Sequence, residues 1–322
     1  MNHWCRRVAV ALSLLGPCLP AGAAESFPDR PVRVIVPFPA GGTFDLVART
    51  VAQRLTERWG QQVVVDNRPG GATIVATEMT ARATPNGYTI YLSPNALAAN
   101  PALHRKLPYD AARDLAPVVL IAAQPMALGA HPGFRATNMR ELLDVAKAQP
   151  GVLSYGTAGI GSGGHLAGEI FKSMAGIDVA HVSYKGGNVA MMDVVANQIP
   201  LVMTGLPNLL PLHRAGRIRI LGITSAKRSA VAEQIPAIGE TVPGYDFKNW
   251  FGFVVPAGAP APVIRKINAD VNAVLATGDT QQKLVAQGFD VLGGTPEAFA
   301  ATIRADTKTF GDVLKKAGIA AQ

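Results

Sequence analysis

Apolar residues in this chain recur in two periods that take turns. Val-Arg-Val-Ile-Val at 32–36 is a short strand-like run. After Pro37-Phe38-Pro39-Ala40-Gly41-Gly42 the spacing changes to Leu46, Val47, Val51 and Leu55, one face of a helix. The alternation continues with strands at 62–66 and 88–92 around a helix at 72–83, each change of period marked by glycine, proline or asparagine. From 115 to 130 the pattern becomes one long extended run, broken only by Pro125 and closed by His131-Pro132-Gly133. A second series follows, with helices at 139–148, 165–175, 188–196 and 208–215 and strands at 152–155, 179–184, 201–204 and 218–224. A β-rich run at 251–255 precedes two long helices, at 261–276 and 295–316.

Strands separated by helix-length segments pair in parallel through crossover connections. The pattern therefore predicts an α/β protein of two lobes, each a mostly parallel sheet flanked by helices, joined by two extended crossings. Lobe 1 is expected to comprise 25–124 and 252–322, and lobe 2 to comprise 125–251. Ligands on such sheets sit at the carboxyl ends of the strands. Two facing lobes would place the turn at 38–43 and the turn at 157–162 on opposite walls of one cleft.

The start of the chain has a different character. Arg6-Arg7, the apolar run at 8–15 and the small residues Ala21-Gly22-Ala23-Ala24 read as a secretory signal peptide spanning 1–24, cleaved near Ala23 or Ala24. The expected location is the periplasm. Cys5 and Cys18, the two cysteines of the chain, both lie in that segment. Disulfides, a cysteine-based zinc site and a cysteine nucleophile are thereby excluded from the mature chain. Removal of Arg6 and Arg7 takes the formal net charge from +8 to +6. The remaining Lys and Arg are scattered rather than gathered into a stripe with aromatics, which argues against nucleic acid and for a field that draws small anions.

The chemistry gathers around Gly156-Thr157-Ala158-Gly159-Ile160-Gly161-Ser162-Gly163-Gly164-His165, between a strand and a helix start. First-turn N–H groups are unpaired and the helix dipole is positive there, so this is an anion site built from backbone. A dinucleotide fingerprint would need an acidic residue ending the next strand, where Tyr184-Lys185 stands. A Walker loop would need Lys-Ser/Thr in place of His165-Leu166, and a nucleophile elbow would need glycine in place of Ile160. Ser162 and His165 keep an exported serine hydrolase open as an alternative, which lacks an identified orienting acid. The other histidines have no ligand spacing, so neither a metal nor a cofactor is expected. Thr43, Ser93, Asn95, Thr157, Ser162 and Thr204 are neutral donors at strand ends, suited to holding a carboxylate reversibly. Phe38, Tyr184 and Trp250 are candidate apolar walls, and Asp45, in the first helical turn, reads as a structural cap.

Pro39-Ala40-Gly41-Gly42-Thr43-Phe44-Asp45-Leu46-Val47-Ala48-Arg49 resembles the P-x-G-G-x-x-D-x-x-A-R signature of Bug-type extracytoplasmic solute receptors, the binding components of tripartite tricarboxylate transporters. Gly156 to His165 with Leu166-Ala167-Gly168-Glu169 is similar to their second signature, and His181-Val182-Ser183-Tyr184-Lys185-Gly186 to the third. The resemblance extends over nearly all of the mature chain. It implies a Venus-flytrap periplasmic-binding-protein fold that closes on a small carboxylate and delivers it to a membrane permease. It also implies a monomer without enzymatic activity. Carried over by position, the ligand role falls on Phe38, Ala40, Gly41, Gly42 and Thr43 and on Thr157, Ala158, Gly159, Gly161 and Ser162, with Ser93, Asn95 and Tyr184 as weaker transfers. Many relatives carry Asp where this chain has Thr204. That departure would favour a ligand with a second anionic or an uncharged distal group. A carboxylate sensor feeding a signalling receptor is the remaining alternative.

Overall fold

The computed structural model describes residues 27–229, 231–316 and 321, so the expected leader and its cleavage site lie outside the described residues. Among the described residues ten strands form one curled mixed sheet in the order β2-β1-β3-β9-β4-β7-β5-β6, with β10 and β8 also pairing with β4. The first group is β1 (Val32–Val36), β2 (Val63–Asn67) and β3 (Thr89–Ser93), separated by helices α1 (Thr43–Trp59) and α2 (Ile74–Ala81). α3 (Ala96–Leu103) and the single turn α4 (Ala111–Asp114) lead into β4 (Leu115–Ala130). The second group follows: α5 (Met139–Ala148), β5 (Ser154–Thr157), α6 (Gly163–Ala175), β6 (Ala180–Ser183), α7 (Gly187–Val195), β7 (Leu201–Gly205), α8 (Leu206–Arg214) and β8 (Arg219–Ile223). β9 (Lys248–Pro256) returns the chain to the first group, which α9 (Ala261–Leu275), α10 (Gly278–Ala286), β10 (Asp290–Val291) and α11 (Pro296–Lys316) complete.

β4 explains why the pattern reads as two lobes. Its 16 residues pair with β9 and β10 through their first part and with β7 and β8 from Met126 onward. The βα units are parallel within each group (β2-β1-β3 and β7-β5-β6), whereas every ladder made by β4 and β9 is antiparallel. The sheets are thus parallel at the flanks and antiparallel along the crossings, a pairing that strand order in sequence does not reveal. β9 begins at Lys248: its residues up to Phe251 pair with β4, and Gly252 to Val254 pair with β3 of the first group as well.

Alternation covers both faces of the first group. Val32, Val34, Val36, Phe251, Phe253 and Val255 pack with Val47, Val51 and Leu55 of α1 and Ile267 and Val271 of α9. Ile35, Tyr91 and Val254 point the other way, into a core shared with Phe299, Phe310 and Leu314 of α11. Period-2 strands meeting period-3.6 helices on both sides bury about 1.5–3 kcal/mol of transfer free energy per large apolar side chain. α1 forms because its apolar positions fall three and four apart, and it stops where Gly60 takes a left-handed φ of 65° and returns its N–H to Thr56 O. A third cluster, including Val194, Leu206, Leu209, Ile220 and Ile223, closes the far side of the second group.

Candidate functional site

A cleft of about 400 Å³ opens where the strand ends of the two groups face each other. The N-caps of four helices line it: Gly42 of α1, Ser162 of α6, Gly186 of α7 and Gly205 of α8. Three of these caps make no side-chain hydrogen bond to their helix, and α6, α7 and α8 have no acidic residue in the first turn. Lys185 is the one charged side chain among the lining residues, and it adds to the positive ends of the helix dipoles that face the cleft.

The wall from the first group is the β1–α1 turn. Phe38, Ala40, Gly41, Gly42 and Thr43 all line the cleft. Phe38 stacks on Phe44 with ring centroids 4.6 Å apart, and Phe44 in turn meets Phe251 at 4.3 Å, which ties the turn to the core. Asp45 is buried behind the turn, where its Oδ2 accepts the Gly41 N–H at 3.0 Å and Arg49 Nε at 2.9 Å. Burial alone would raise this carboxyl's pKa. The hydrogen bonds from Arg49, Gly41 and Asn67 outweigh it and hold the group below the usual carboxylate range. An acid locked this way shapes the turn without presenting an open charge to the cleft.

The wall from the second group is the β5–α6 turn, of which Ala158, Ser162, Gly163 and Gly164 line the cleft. Ser162 Oγ accepts the His165 backbone N–H at 3.4 Å, which caps α6. The His165 ring is buried, and its Nδ1 accepts the Gly161 N–H at 3.2 Å. It lies 4.4 Å from the His181 ring, whose Nε2 is 2.7 Å from Thr157 Oγ1. Burial holds both histidines at a pKa of about 4; Lys172 adds to the effect on His165, and His165 and Lys172 to that on His181. Gly161 adopts a φ of 77°, which side chains rarely tolerate, and its Cα lies against α3: an added Cβ would sit 3.5 Å from Leu103 Cδ1. Gly164 is needed for a different reason, since a Cβ there would collide with the backbone carbonyl of Met203.

Of the fourteen residues singled out from the sequence, eight therefore line the cleft, the last being Thr204 at the end of β7. The other six stand behind it, with their polar groups or glycine positions committed to the frame. Ser93 Oγ donates to Gly252 O at 3.1 Å and fastens β3 to β9. Asn95 donates to Lys248 O and accepts from Trp250 N at 2.9 Å. Thr157 Oγ1 accepts the Gly159 N–H at 3.1 Å, so Thr157 and Gly159 set the shape of the turn, and Gly161 faces α3. Tyr184 donates its hydroxyl to Asp193 at 2.7 Å, and burial with that carboxylate pushes its pKa up to about 12. Trp250 is buried, donating Nε1 to Asp306 Oδ2 at 2.6 Å, and is not a wall of the cleft. The hydrolase arrangement is not assembled either: the Ser162 hydroxyl meets the backbone of His165, while the acceptor nitrogen of the ring serves Gly161.

The cleft also contains residues that pattern reading passed over. Gln124 of β4 and Asn249 of β9 line it together, directly opposed in the ladder, and Asn208 joins them from the first turn of α8. Gln124 had a visible signal, as a lone amide in an otherwise apolar strand beside Pro125. Asn249 and Asn208 had none.

Residues 47–319 match the family model described as "Tripartite tricarboxylate transporter family receptor". The chain is 34% identical over 313 residues to the UPF0065 protein in the tcbD-tcbE intergenic region of Pseudomonas sp. (strain P51), covering 96% of this chain and 93% of that one. Among solved structures it is similar to R. palustris Rpa4515 with adipate, at 36% identity and a TM-score of 0.85 over 92% of this chain and 100% of that one. It is likewise similar to the periplasmic binding protein BugD, at 31% identity and a TM-score of 0.83 over 92% and 100%. By its match across most of its length and by a fold shared with such receptors, the chain belongs to the tripartite tricarboxylate transporter receptor family, as a Bug-type solute-binding protein.

Proposed function

We propose that this chain captures a small carboxylate between the 38–43 and 158–164 turns and hands it to the membrane subunits of a tripartite tricarboxylate-type transporter. The observation that carries the reading is the convergence of four helix N-termini on one cleft lined by no acidic side chain. Unpaired N–H groups supply short hydrogen bonds to carboxylate oxygens, and neutral donors avoid burying an opposing charge. The adipate in the R. palustris relative supports a carboxylate as the ligand class. Binding is non-enzymatic in this reading. The two groups of strands close around the ligand by flexing at β4 and β9, and the closed monomer is the form the permease recognises.

Calorimetry on ligand-stripped, folded protein against di- and tricarboxylates, aromatic acids and acidic amino acids tests the reading. Heat of binding for at least one class, lost on placing a carboxylate at the α6 N-terminus by Ser162→Asp, is the expected result. Silence across the whole panel would overturn it. Export is tested separately by N-terminal sequencing of the periplasmic protein, which should begin after Ala23 or Ala24.

A further inference from the structure

Beneath the two turns, the cleft is floored by a different chemistry. β4 and β9 pass under it side by side, and Gln124 faces Asn249 in their antiparallel register. Directly opposed residues of an antiparallel pair project from the same face, so both carboxamides rise into the same space. Gln124 is 2% exposed and its Oε1 has no hydrogen-bond partner among the described residues. A buried carbonyl oxygen left unpaired is costly, and on a side chain that lines a ligand cleft it asks for a donor from the ligand as the cleft closes. The other end of the same side chain borders Gly205: a Cβ on that glycine would lie 2.9 Å from Gln124 Nε2 and 3.6 Å from Asn208 Nδ2. The floor therefore offers two amide donors and one unpaired acceptor within a small area, with no cation among Gln124, Asn208, Asn249 and Thr204.

A second carboxylate brings only acceptors. It would satisfy the amide donors and leave Gln124 Oε1 unpaired beside a negative charge. A primary carboxamide or a hydroxyl brings both donor and acceptor and satisfies both ends of Gln124. We infer that Gln124 is a specificity-determining residue, and that the ligand is a carboxylate whose distal end carries a neutral group of this kind. The inference rests on the carboxylate reading of the cleft and deepens it: the helix N-termini take the charged end, and the carboxamide floor reads the uncharged one. It also gives Thr204 a place, as a neutral neighbour of the floor that adds no charge to it.

Calorimetry with ligands of matched length tests this. Adipate, its monoamide, 6-hydroxyhexanoate and hexanoate form one set, with the four- and five-carbon counterparts as two more. At the length that binds best, the amide or hydroxy acid is expected to bind at least about tenfold tighter than both the dicarboxylate and the methyl-terminated acid. In Gln124→Met, which keeps the length of the side chain, the advantage over the methyl-terminated acid should fall to within about threefold. A dicarboxylate that binds at least as tightly as the amide and the hydroxy acid at every length would overturn the inference and leave the carboxylate reading standing. An unchanged ratio in Gln124→Met would do the same. Silence toward all of these acids and the wider panel would remove both. The wild-type ratios decide the matter even if the variant does not fold.

Discussion

The two walls of the cleft have the same plan, strand to glycine turn to helix, and are held in shape by opposite chemistry. The β1–α1 turn is tied by an ionised acid: Asp45 accepts from Gly41 N and from Arg49. The β5–α6 turn is tied by neutral rings: His165 accepts from Gly161 N, and His181 contacts Thr157, which accepts from Gly159 N. Each device gives the turn an acceptor for a backbone N–H that would otherwise be unpaired. The lesson is that an anion site made of main chain needs a fixed second layer, and that the choice of acid or imidazole sets how that layer responds to substitution and to acid.

The largest expected difference between the walls comes from adding one methyl group. Gly164→Ala meets the Met203 carbonyl, a backbone atom that cannot step aside, and is expected to destabilise the protein by about 3 kcal/mol. Gly42→Ala meets nothing closer than Pro39 O at 3.5 Å and should stay within about 0.5 kcal/mol of wild type. Urea denaturation of the two variants measures both, and equal losses would break the contrast.

Acid should separate the walls next. Both histidines have folded pKa values of about 4, below the ordinary 6.5, so the folded state favours their neutral forms. Their contribution to stability is complete above about pH 6.5 and drains away as pH falls towards 4. Asp45, held below its ordinary 3.8, keeps its contribution down to that value and loses it only in stronger acid. Between pH 7 and 5 a loss of about 2 kcal/mol is expected, after discounting His181, which is only partly buried. His165→Gln, which keeps an acceptor but does not titrate, should remove most of that slope. Denaturation midpoints at half-unit pH steps report it, and a variant with the wild-type slope would assign the effect elsewhere.

The smallest effects come from the caps themselves. Asp45→Ala removes two charge-assisted hydrogen bonds, one of them to an Arg49 that is more than half exposed, and should cost about 1–2 kcal/mol. Ser162→Ala removes a single long cap bond and should cost about 0.5–1 kcal/mol. A reversal of that order in the same denaturation assay would mean that the second wall, not the first, depends on its cap.

Much of this architecture is legible in the sequence because burial enforces period. Val32 to Val36 and the helix after it could hardly be read otherwise, and the long run at 115–130 is β4 to the residue. α3 was missed because it is short and carries Pro101, and α10 and the two-residue β10 because neither has a strong pattern. The antiparallel pairing of β9 with β3 and β4 is a long-range choice with no local mark. Consecutive glycines announced both turns of the site. Hydroxyl and amide groups at strand ends were harder to sort, since Ser93, Asn95 and Thr157 look the same in sequence whether they face a ligand or the frame. Gln124 sits where an apolar residue would be expected and is the one floor residue whose position could have been flagged.

The most direct test of the central claim is a crystal structure of the chain with its co-purified or soaked carboxylate. The account predicts the carboxylate group within hydrogen-bonding distance of main-chain N–H groups from both the 38–43 and the 158–164 turns. A carboxylate held by one turn alone, by Lys185 alone, or outside this cleft would contradict it.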